Sequence, residues 1–442
     1  MDFDVLFVGS GQGAYNGAIP MSQAGLNVGL IEEGLFGGVC TNRGCNAKIT
    51  LDRPVELMRQ VQALSGRGFD QMPTLNWHDL MLHKHEVIDG LSYGNEQKLV
   101  NGGVHVIKGH AHFVDAHTLA VGDQQYTADK IVLVTGRHPH RLDIPGSDLF
   151  HDSTDFLVLE EMPKRMTIIG AGYVGMEFAT IANAFGSDVT VILRGNQPLR
   201  EFHAPYVDMV VADLRERGVK FQFNETLLNA EETEEGIVLH GANGYRHTTD
   251  YVIDATGRIP NTQNMDWDKI GLQYDPVKGL PVNDHLETNV PGIYATGDIL
   301  DKSQPKITPV AIFESLYLYH QFTGQSDAAI DYPAIATVAF TSPRLATVGV
   351  SVAEAQKDPD RYHIETADYN HDWFRQVGNE NWGGVTLVFK GDYLVGATTI
   401  SNDAVDTING LVDVIEAKMT HADVERLIYL FPSTAHSYMR KL

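Results

Sequence analysis

Short, almost wholly apolar runs recur along the chain and end in glycine. Val5-Leu6-Phe7-Val8 runs into Gly9-Ser10-Gly11-Gln12-Gly13-Ala14, and a small-residue stretch leads on to Val28-Gly29-Leu30-Ile31-Glu32. The pattern returns at Met166-Thr167-Ile168-Ile169, followed by Gly170-Ala171-Gly172-Tyr173-Val174-Gly175 and then Val189-Thr190-Val191-Ile192-Leu193-Arg194. Apolar runs this short read as parallel strands buried on both faces. Each copy therefore predicts strand, glycine turn, helix, strand, a βαβ unit suited to a dinucleotide. Each unit closes on a similar phrase, Ile131-Val132-Leu133-Val134-Thr135-Gly136-Arg137 and Val252-Ile253-Asp254-Ala255-Thr256-Gly257-Arg258. An apolar strand that stops at Thr-Gly fits a strand end opening onto a ligand crevice, which places Thr135, Gly136 and Gly257 there. A third strand and turn runs from Gly292 to Asp298. Beyond about residue 331 the pattern changes to strands at Val338-Ala339-Phe340, Ala346-Thr347-Val348 and Gly384 to Phe389, with a helix over about 403–418.

Composition narrows the class. The 442 residues suggest about three domains, and an apolar fraction of 43% excludes wholesale disorder. No apolar run approaches the roughly 18 residues of a membrane span. Met1-Asp2-Phe3-Asp4 is acidic and leads straight into a strand, unlike a secretory signal. Two cysteines in a chain of this length exclude a disulfide-stapled secreted scaffold. A net charge of −24 disfavours nucleic acid and membrane surfaces as partners. A cytoplasmic location is expected, and no metal site.

The glycine turns carry the first chemistry. A turn of this kind lets backbone N–H groups and a helix N-terminus approach a pyrophosphate, which nominates Gly9, Gly11, Gly13 and Ala14 in one unit and Gly170, Gly172 and Gly175 in the other. Glu32 closes the second strand of the first unit, where a carboxylate accepts ribose hydroxyls. The equivalent position of the second unit is Leu193, followed by Arg194 and Arg200. Loss of the acid and gain of arginines suits a 2′-phosphate, hence NADPH, with NADH still open. Gly175, where NADP-type turns favour alanine, weighs the other way.

Both cysteines stand in Gly37-Gly38-Val39-Cys40-Thr41-Asn42-Arg43-Gly44-Cys45-Asn46-Ala47-Lys48, directly after the second strand of the first unit. They read either as two neighbouring buried thiols or as a redox pair. Residues five apart on a regular helix are rotated by about 140° and do not face each other. A bridge therefore needs a distorted turn, which Gly44 permits. Such a short loop would be easily reduced, and a helix N-terminus would favour a thiolate.

With these segments in this order, the chain resembles the class I pyridine nucleotide-disulfide oxidoreductases, the glutathione reductase and dihydrolipoamide dehydrogenase family, over essentially its whole length. Lys108-Gly109-His110-Ala111-His112-Phe113-Val114-Asp115 is similar to that family's adenine-side FAD loop, and Ala295-Thr296-Gly297-Asp298 to the motif whose aspartate holds the FAD ribityl–pyrophosphate region. Thr308-Pro309-Val310-Ala311 resembles the helix start beneath the flavin. The resemblance implies an α/β fold, two Rossmann-like dinucleotide-binding domains plus a C-terminal α+β dimerisation domain. The FAD-binding domain would span 1–145 and return over 266–330, around an NAD(P)H-binding domain at 146–265, with the interface domain at 331–442. It implies FAD and NADPH as cofactors, Gly38, Ala111, Asp298 and Thr308 among the FAD contacts, and a homodimer with a shared active site. Cys40 and Cys45 would form the redox disulfide, Cys45 facing the flavin and Cys40 attacking a small disulfide or related sulfur oxidant. Lys48 would pair with Glu177 near the flavin, and Tyr173 would gate the nicotinamide pocket.

The chain departs from the family at its C-terminus. The family's His-Pro motif supplies the acid–base, with a glutamate five residues on. Here Pro432 anchors the register, Phe431 stands at the histidine position and His436 at the glutamate position. Ser342 replaces a second family histidine, Ala47 a common proline and Val39 a common threonine. Without an acid a leaving thiol departs as thiolate, at a cost on the order of 10²–10⁴ in rate. Either His436 acts from its new place, or the oxidant has a good leaving group, as hypothiocyanite or an activated disulfide does. A mercuric reductase fits less well, lacking its extra C-terminal cysteine pair. The alternative class is a flavin reductase or oxidase passing electrons to a quinone, metal ion or oxygen. A catalytically decayed flavin scaffold fits poorly with retention of Cys40, Cys45, Lys48, Tyr173 and Glu177. If His436 is the acid, His436→Ala lowers turnover at least about tenfold in the substrate half-reaction alone; unchanged turnover in stopped-flow assays removes it from catalysis.

Overall fold

β1 (Phe3–Val8) is buried at every position but Asp4, as a strand covered on both faces must be. The computed structural model that contains it describes residues 1–369 and 372–442, with Asn243 described by its backbone alone. In chain order β1 is followed by α1 (Gln12–Gln23), β2 (Val28–Glu32), α2 (Gly38–Arg43), α3 (Cys45–Ala63), α4 (Trp77–Ile88), α5 (Leu91–Asn101) and β3 (His105–Lys108). β4 (Ala111–Asp115), β5 (Thr118–Val121) and β6 (Gln124–Leu133) come next. The chain divides into two compact units, one built from Met1–Thr50, Met81–His140 and Gly257–Asp331, the other from Leu51–Leu80, Arg141–Thr256 and Tyr332–Leu442.

In the first unit β1 pairs in parallel with β2 and with the second half of β6, β3 extends the sheet beyond β2, and Ile293–Ala295 adds a parallel strand to β6. The first half of β6 carries β5 and β4 in antiparallel order. Phe7, Leu30, Ile131, Leu133 and Ile293 fill its core. α1 lies against the helix Thr308–Phe322 at backbone contact, since a Cβ on Gly17 would stand 2.6 Å from the Ser315 carbonyl oxygen.

The second unit holds a parallel sheet in the order Lys220–Gln222, Asp188–Ile192, Arg165–Ile169, Tyr251–Asp254, with the helix Tyr173–Ala184 after its glycine turn. It also holds an antiparallel sheet in the order Ala336–Ala339, Arg344–Gly349, Tyr393–Ser401, Gly384–Lys390, His363–Asp368. Helix Ala404–Glu416 covers that sheet with Ala404, Ile408, Leu411 and Val414, the spacing of one apolar stripe. Buried Arg344 bonds Asp52 at 2.7 Å and Glu56 at 2.9 Å, and buried Arg59 bonds Asp213 at 2.7 Å and the Ser342 carbonyl at 3.1 Å. No helix among the described residues is long and apolar enough to cross a membrane.

Two local expectations change. The strand expected through Arg194 ends at Ile192. The cysteines do not share a distorted helix: Gly44, at φ −150° and ψ −119°, breaks the chain into α2 and α3 with one cysteine on each. Gly17→Val should therefore destabilise the protein by about 1–3 kcal/mol, read as a lower denaturant midpoint; an unchanged midpoint would mean the two helices part without cost.

Candidate active site

The two glycine turns share one geometry. Gly9 and Gly170 both have φ +101°, and a Cβ there would lie 2.4 Å from the Val134 carbonyl oxygen and 2.5 Å from that of Ala255. The middle glycines, Gly11 and Gly172, have nothing within 4 Å of a built Cβ, an open face where backbone can meet a phosphate. The third position differs: Ala14 is buried with its methyl accommodated, whereas a Cβ on Gly175 would stand 2.1 Å from the Gly170 carbonyl oxygen. Packing thus gives Gly175 a structural reason.

Around the first turn the side chains fit a dinucleotide. Glu32 accepts hydrogen bonds from the Ser10 amide at 2.9 Å, the Ser10 hydroxyl at 2.6 Å and the Gly34 amide at 2.7 Å. The Gly109 amide donates to the Glu32 carbonyl, which brings the 108–111 segment and Ala111 beside this acid. His110 places one ring nitrogen 2.7 Å from Glu33 and the other 2.8 Å from the Asn264 carbonyl. Two acceptors can both be satisfied only by the imidazolium, and the Asn264 carbonyl first, then Glu33, raise its pKa. Across the turn, the Thr296 hydroxyl donates to the Gly13 carbonyl at 2.8 Å. Glu314 accepts the Gly297 amide at 2.6 Å and pairs with buried Lys302, which fixes the half-buried Asp298 in place. Thr135 and Asn261 exchange bonds, the Thr135 hydroxyl donating at 2.9 Å, and the Asn261 amide donates to the Gly136 carbonyl. Gly257 accepts from the His140 amide. Open glycine backbone, a ribose-grade acid and the Thr296–Asp298 corner meet the demands of FAD. Gly38 packs onto this turn, a built Cβ lying 2.8 Å from the Gly11 Cα.

Cys40 and Cys45 hydrogen-bond to each other across the Gly44 break. The Thr308 hydroxyl, at the start of its helix, lies 3.5 Å from the Cys45 sulfur. The Cys40 hydrogen bond, then the Thr308 hydroxyl and the Lys48 charge, outweigh burial and lower the Cys45 pKa to about 6. The same hydrogen bond, with burial and its neighbour's charge, pushes Cys40 up. The dithiol is therefore asymmetric at neutral pH, with Cys45 as thiolate and Cys40 as thiol. Cys40 and Thr308 open onto a cavity of about 310 Å³ shared with α1 and α5. A larger hollow of about 550 Å³ beside His285 and Gln321 has, among the described residues, neither a cysteine nor either nucleotide-type glycine turn in its wall and is set aside.

The remaining expected residues lie in the second unit. Tyr173 is the first residue of its helix and 47% exposed. Glu177, one turn on, is buried and accepts the Phe340 amide at 2.8 Å. Arg194 and Arg200 are exposed on the loop after Ile192, which folds back so that the Leu199 amide donates to the Ala171 carbonyl in the glycine turn at 2.9 Å. Gln197 in this loop buries an amide nitrogen without a partner among the described residues. Such a loop offers donors to a phosphate. His436 lies in the helix Thr434–Met439, its amide bonded to Ser433, its ring edge-on to Phe431 at 5.1 Å.

Four contributors escape the sequence reading. Ser10 and the Lys302–Glu314 pair brace the first turn, Gln197 sits in the arginine loop, and buried Asn95 donates to the Thr41 hydroxyl at 3.4 Å beside Cys40. Glu314 is the one acid in the helix Thr308–Phe322 and stands in a mostly apolar stretch, a signal that could have found it. Asn95 leaves no such mark. The asymmetry of the dithiol has a direct test. In the reduced protein, iodoacetamide should label Cys45 first, with a rate that rises as pH passes about 6, and Thr308→Val should move that midpoint upward; faster labelling of Cys40 would reverse the assignment.

Comparison with known proteins agrees with this geometry. Residues 3–315 match the family model described as pyridine nucleotide-disulphide oxidoreductase, and 335–441 match the dimerisation domain of that family. A glutathione reductase of Nostoc sp. is 28% identical over 99% of both chains. Dihydrolipoyl dehydrogenases of Staphylococcus aureus and Geobacillus stearothermophilus are 30% and 31% identical, over 99% and 98% of this chain and 96% and 94% of theirs. The solved structure of the HOCl-induced flavoprotein disulfide reductase RclA from Escherichia coli superposes with a TM-score of 0.90 at 23% identity, covering 100% of this chain and 99% of that one. With its paired glycine turns, its cysteine segment and its C-terminal domain all matched, the chain belongs to the pyridine nucleotide-disulphide oxidoreductase family, whose members are flavoprotein oxidoreductases.

Proposed function

We propose that the protein uses NADPH to reduce a small disulfide or related oxidised sulfur species through Cys40 and Cys45. The observation that carries this reading is the asymmetric dithiol, a depressed thiol at Cys45 hydrogen-bonded to Cys40 beside Thr308. Gly9, Gly11, Gly13, Glu32, Ala111 and Asp298 hold FAD, and Gly170, Gly172, Arg194 and Arg200 hold NADPH. Bound FAD would supply two-electron transfer between the nicotinamide and the cysteine pair. Tyr173 would cover the nicotinamide site, and Lys48 and Glu177 would keep the roles the family resemblance implies for them.

In the substrate half-reaction, Cys40 gives its proton to water in the cavity it lines, and its sulfur attacks one sulfur of the oxidant. The S–S bond of a disulfide breaks and one thiolate leaves. The Cys45 thiolate then attacks Cys40 in the mixed disulfide, the second thiolate leaves, and the Cys40–Cys45 bond forms. The oxidant gains two electrons and the dithiol loses them. With Phe431 where the family carries its acid, the first leaving group departs as thiolate or takes a proton from His436, which favours oxidants with good leaving groups. The working form is a cytoplasmic homodimer with a shared active site, built from FAD-binding segments 1–145 and 266–330, an NADPH-binding segment 146–265 and an interface domain 331–442.

Steady-state kinetics with NADPH and NADH against a panel of disulfides, oxidised sulfur species, quinones and oxygen tests this reading. Cys40→Ser should lower disulfide reduction at least about a hundredfold while flavin-linked reduction of quinones survives. Disulfide reduction at wild-type rate in that variant would instead support a flavin reductase acting on other acceptors.

A further inference from the structure

We propose that Lys98 reads the charge of the oxidant, so that the cavity at Cys40 takes a small sulfur oxidant bearing an anionic group. This rests on the disulfide-reductase reading and adds a substrate class to it. α5 turns Leu91, Asn95 and Lys98 toward the cavity, a spacing that keeps three side chains on one helix face. The rest of the wall near Cys40 is neutral and polar: Gln12, Tyr15, Thr41 and Asn46. Among the described residues no carboxylate lines it, and Lys98 is the one cationic side chain in its wall.

The chain carries a net charge of −24, with 57 acids against 33 lysines and arginines. The nearest acid on α5, Glu96, is taken by Lys108 at 2.6 Å. Lys98 has no ion pair among the described residues, and its ammonium lies 3.5 Å from the Asn95 side-chain oxygen. Asn95 is buried, and its amide nitrogen donates to the hydroxyl of Thr41, the residue after Cys40. Asn95 is thus a positioning residue that ties the ammonium to the wall carrying the attacking sulfur. An ammonium held beside neutral donors and away from carboxylates attracts an anionic group by charge-assisted hydrogen bonding. A cavity of about 310 Å³ limits that group to a compact molecule.

The experiment compares two disulfides of similar size, dithiodiglycolate as the dianion and bis(2-hydroxyethyl) disulfide as the neutral analogue. The wild-type kcat/KM ratio, dianion over neutral, should fall about tenfold in Lys98→Gln and hold in Lys98→Arg. Raising ionic strength should lower the wild-type ratio and leave that of Lys98→Gln flat. Asn95→Ala should lower the ratio in the same sense. Equal changes for both disulfides in Lys98→Gln, or a wild-type ratio indifferent to salt, overturn the proposal; the salt series needs no variant to fold. A wild-type protein that reduces neither disulfide, or Cys40→Ser reducing both, overturns the reading beneath it instead.

Discussion

At each glycine turn a backbone carbonyl occupies the space of a side chain. The Val134 oxygen stands where a Cβ of Gly9 would be, and the Ala255 oxygen where one of Gly170 would be. This contact lets the strand after the crossover close against the first strand, and it sets the turn's open middle glycine at the strand ends. Everything the site needs follows from that edge. β2 delivers Glu32 to it, the 108–111 segment meets Glu32 through the Gly109 amide, and Thr296 reaches back to Gly13. A larger residue at either first glycine would push two strands apart and take the cofactor cradle with them.

The second organising choice is electrostatic. Placing two thiols side by side leaves one proton between them more strongly held than either would hold alone. Thr308 acts on both sulfurs, whereas the Lys48 charge acts on Cys45 and tips the share toward it. Charge thus rests on the thiol that opens α3, while the protonated partner faces the cavity. Cys40 must shed a proton before its sulfur becomes a nucleophile.

The repeated glycine turns and their strands were legible because glycine at a backbone contact cannot be replaced and buried parallel strands are apolar throughout. The cysteine segment was legible as a motif, yet its shape was not: Gly44 was read as distorting one helix, and it separates two. Coenzyme choice shows the same limit. Gly175 looked like evidence about the nucleotide, whereas its neighbour Gly170 demands it. Asn95 and Lys98 were silent, since a polar residue on a half-exposed helix looks the same whether it faces water or a cavity. Side chains that work through tertiary neighbours leave little trace in the order of residues.

The discontinuity of the first unit bears on how the chain is made. Its sheet needs β1, written at the very start, and the strand Ile293–Ala295, which follows the whole of the 141–256 segment. Until that late strand leaves the ribosome, β6 has an unpaired parallel edge and the Gly13 carbonyl lacks Thr296. The second unit folds from stretches interleaved with these: the first is complete only after Asp331, and the second only after Tyr332–Leu442 has followed. Long-range closure of this kind slows folding and exposes an apolar strand edge meanwhile. The same interleaving that brings two nucleotide units into one polypeptide thus leaves the nascent chain dependent on its last third.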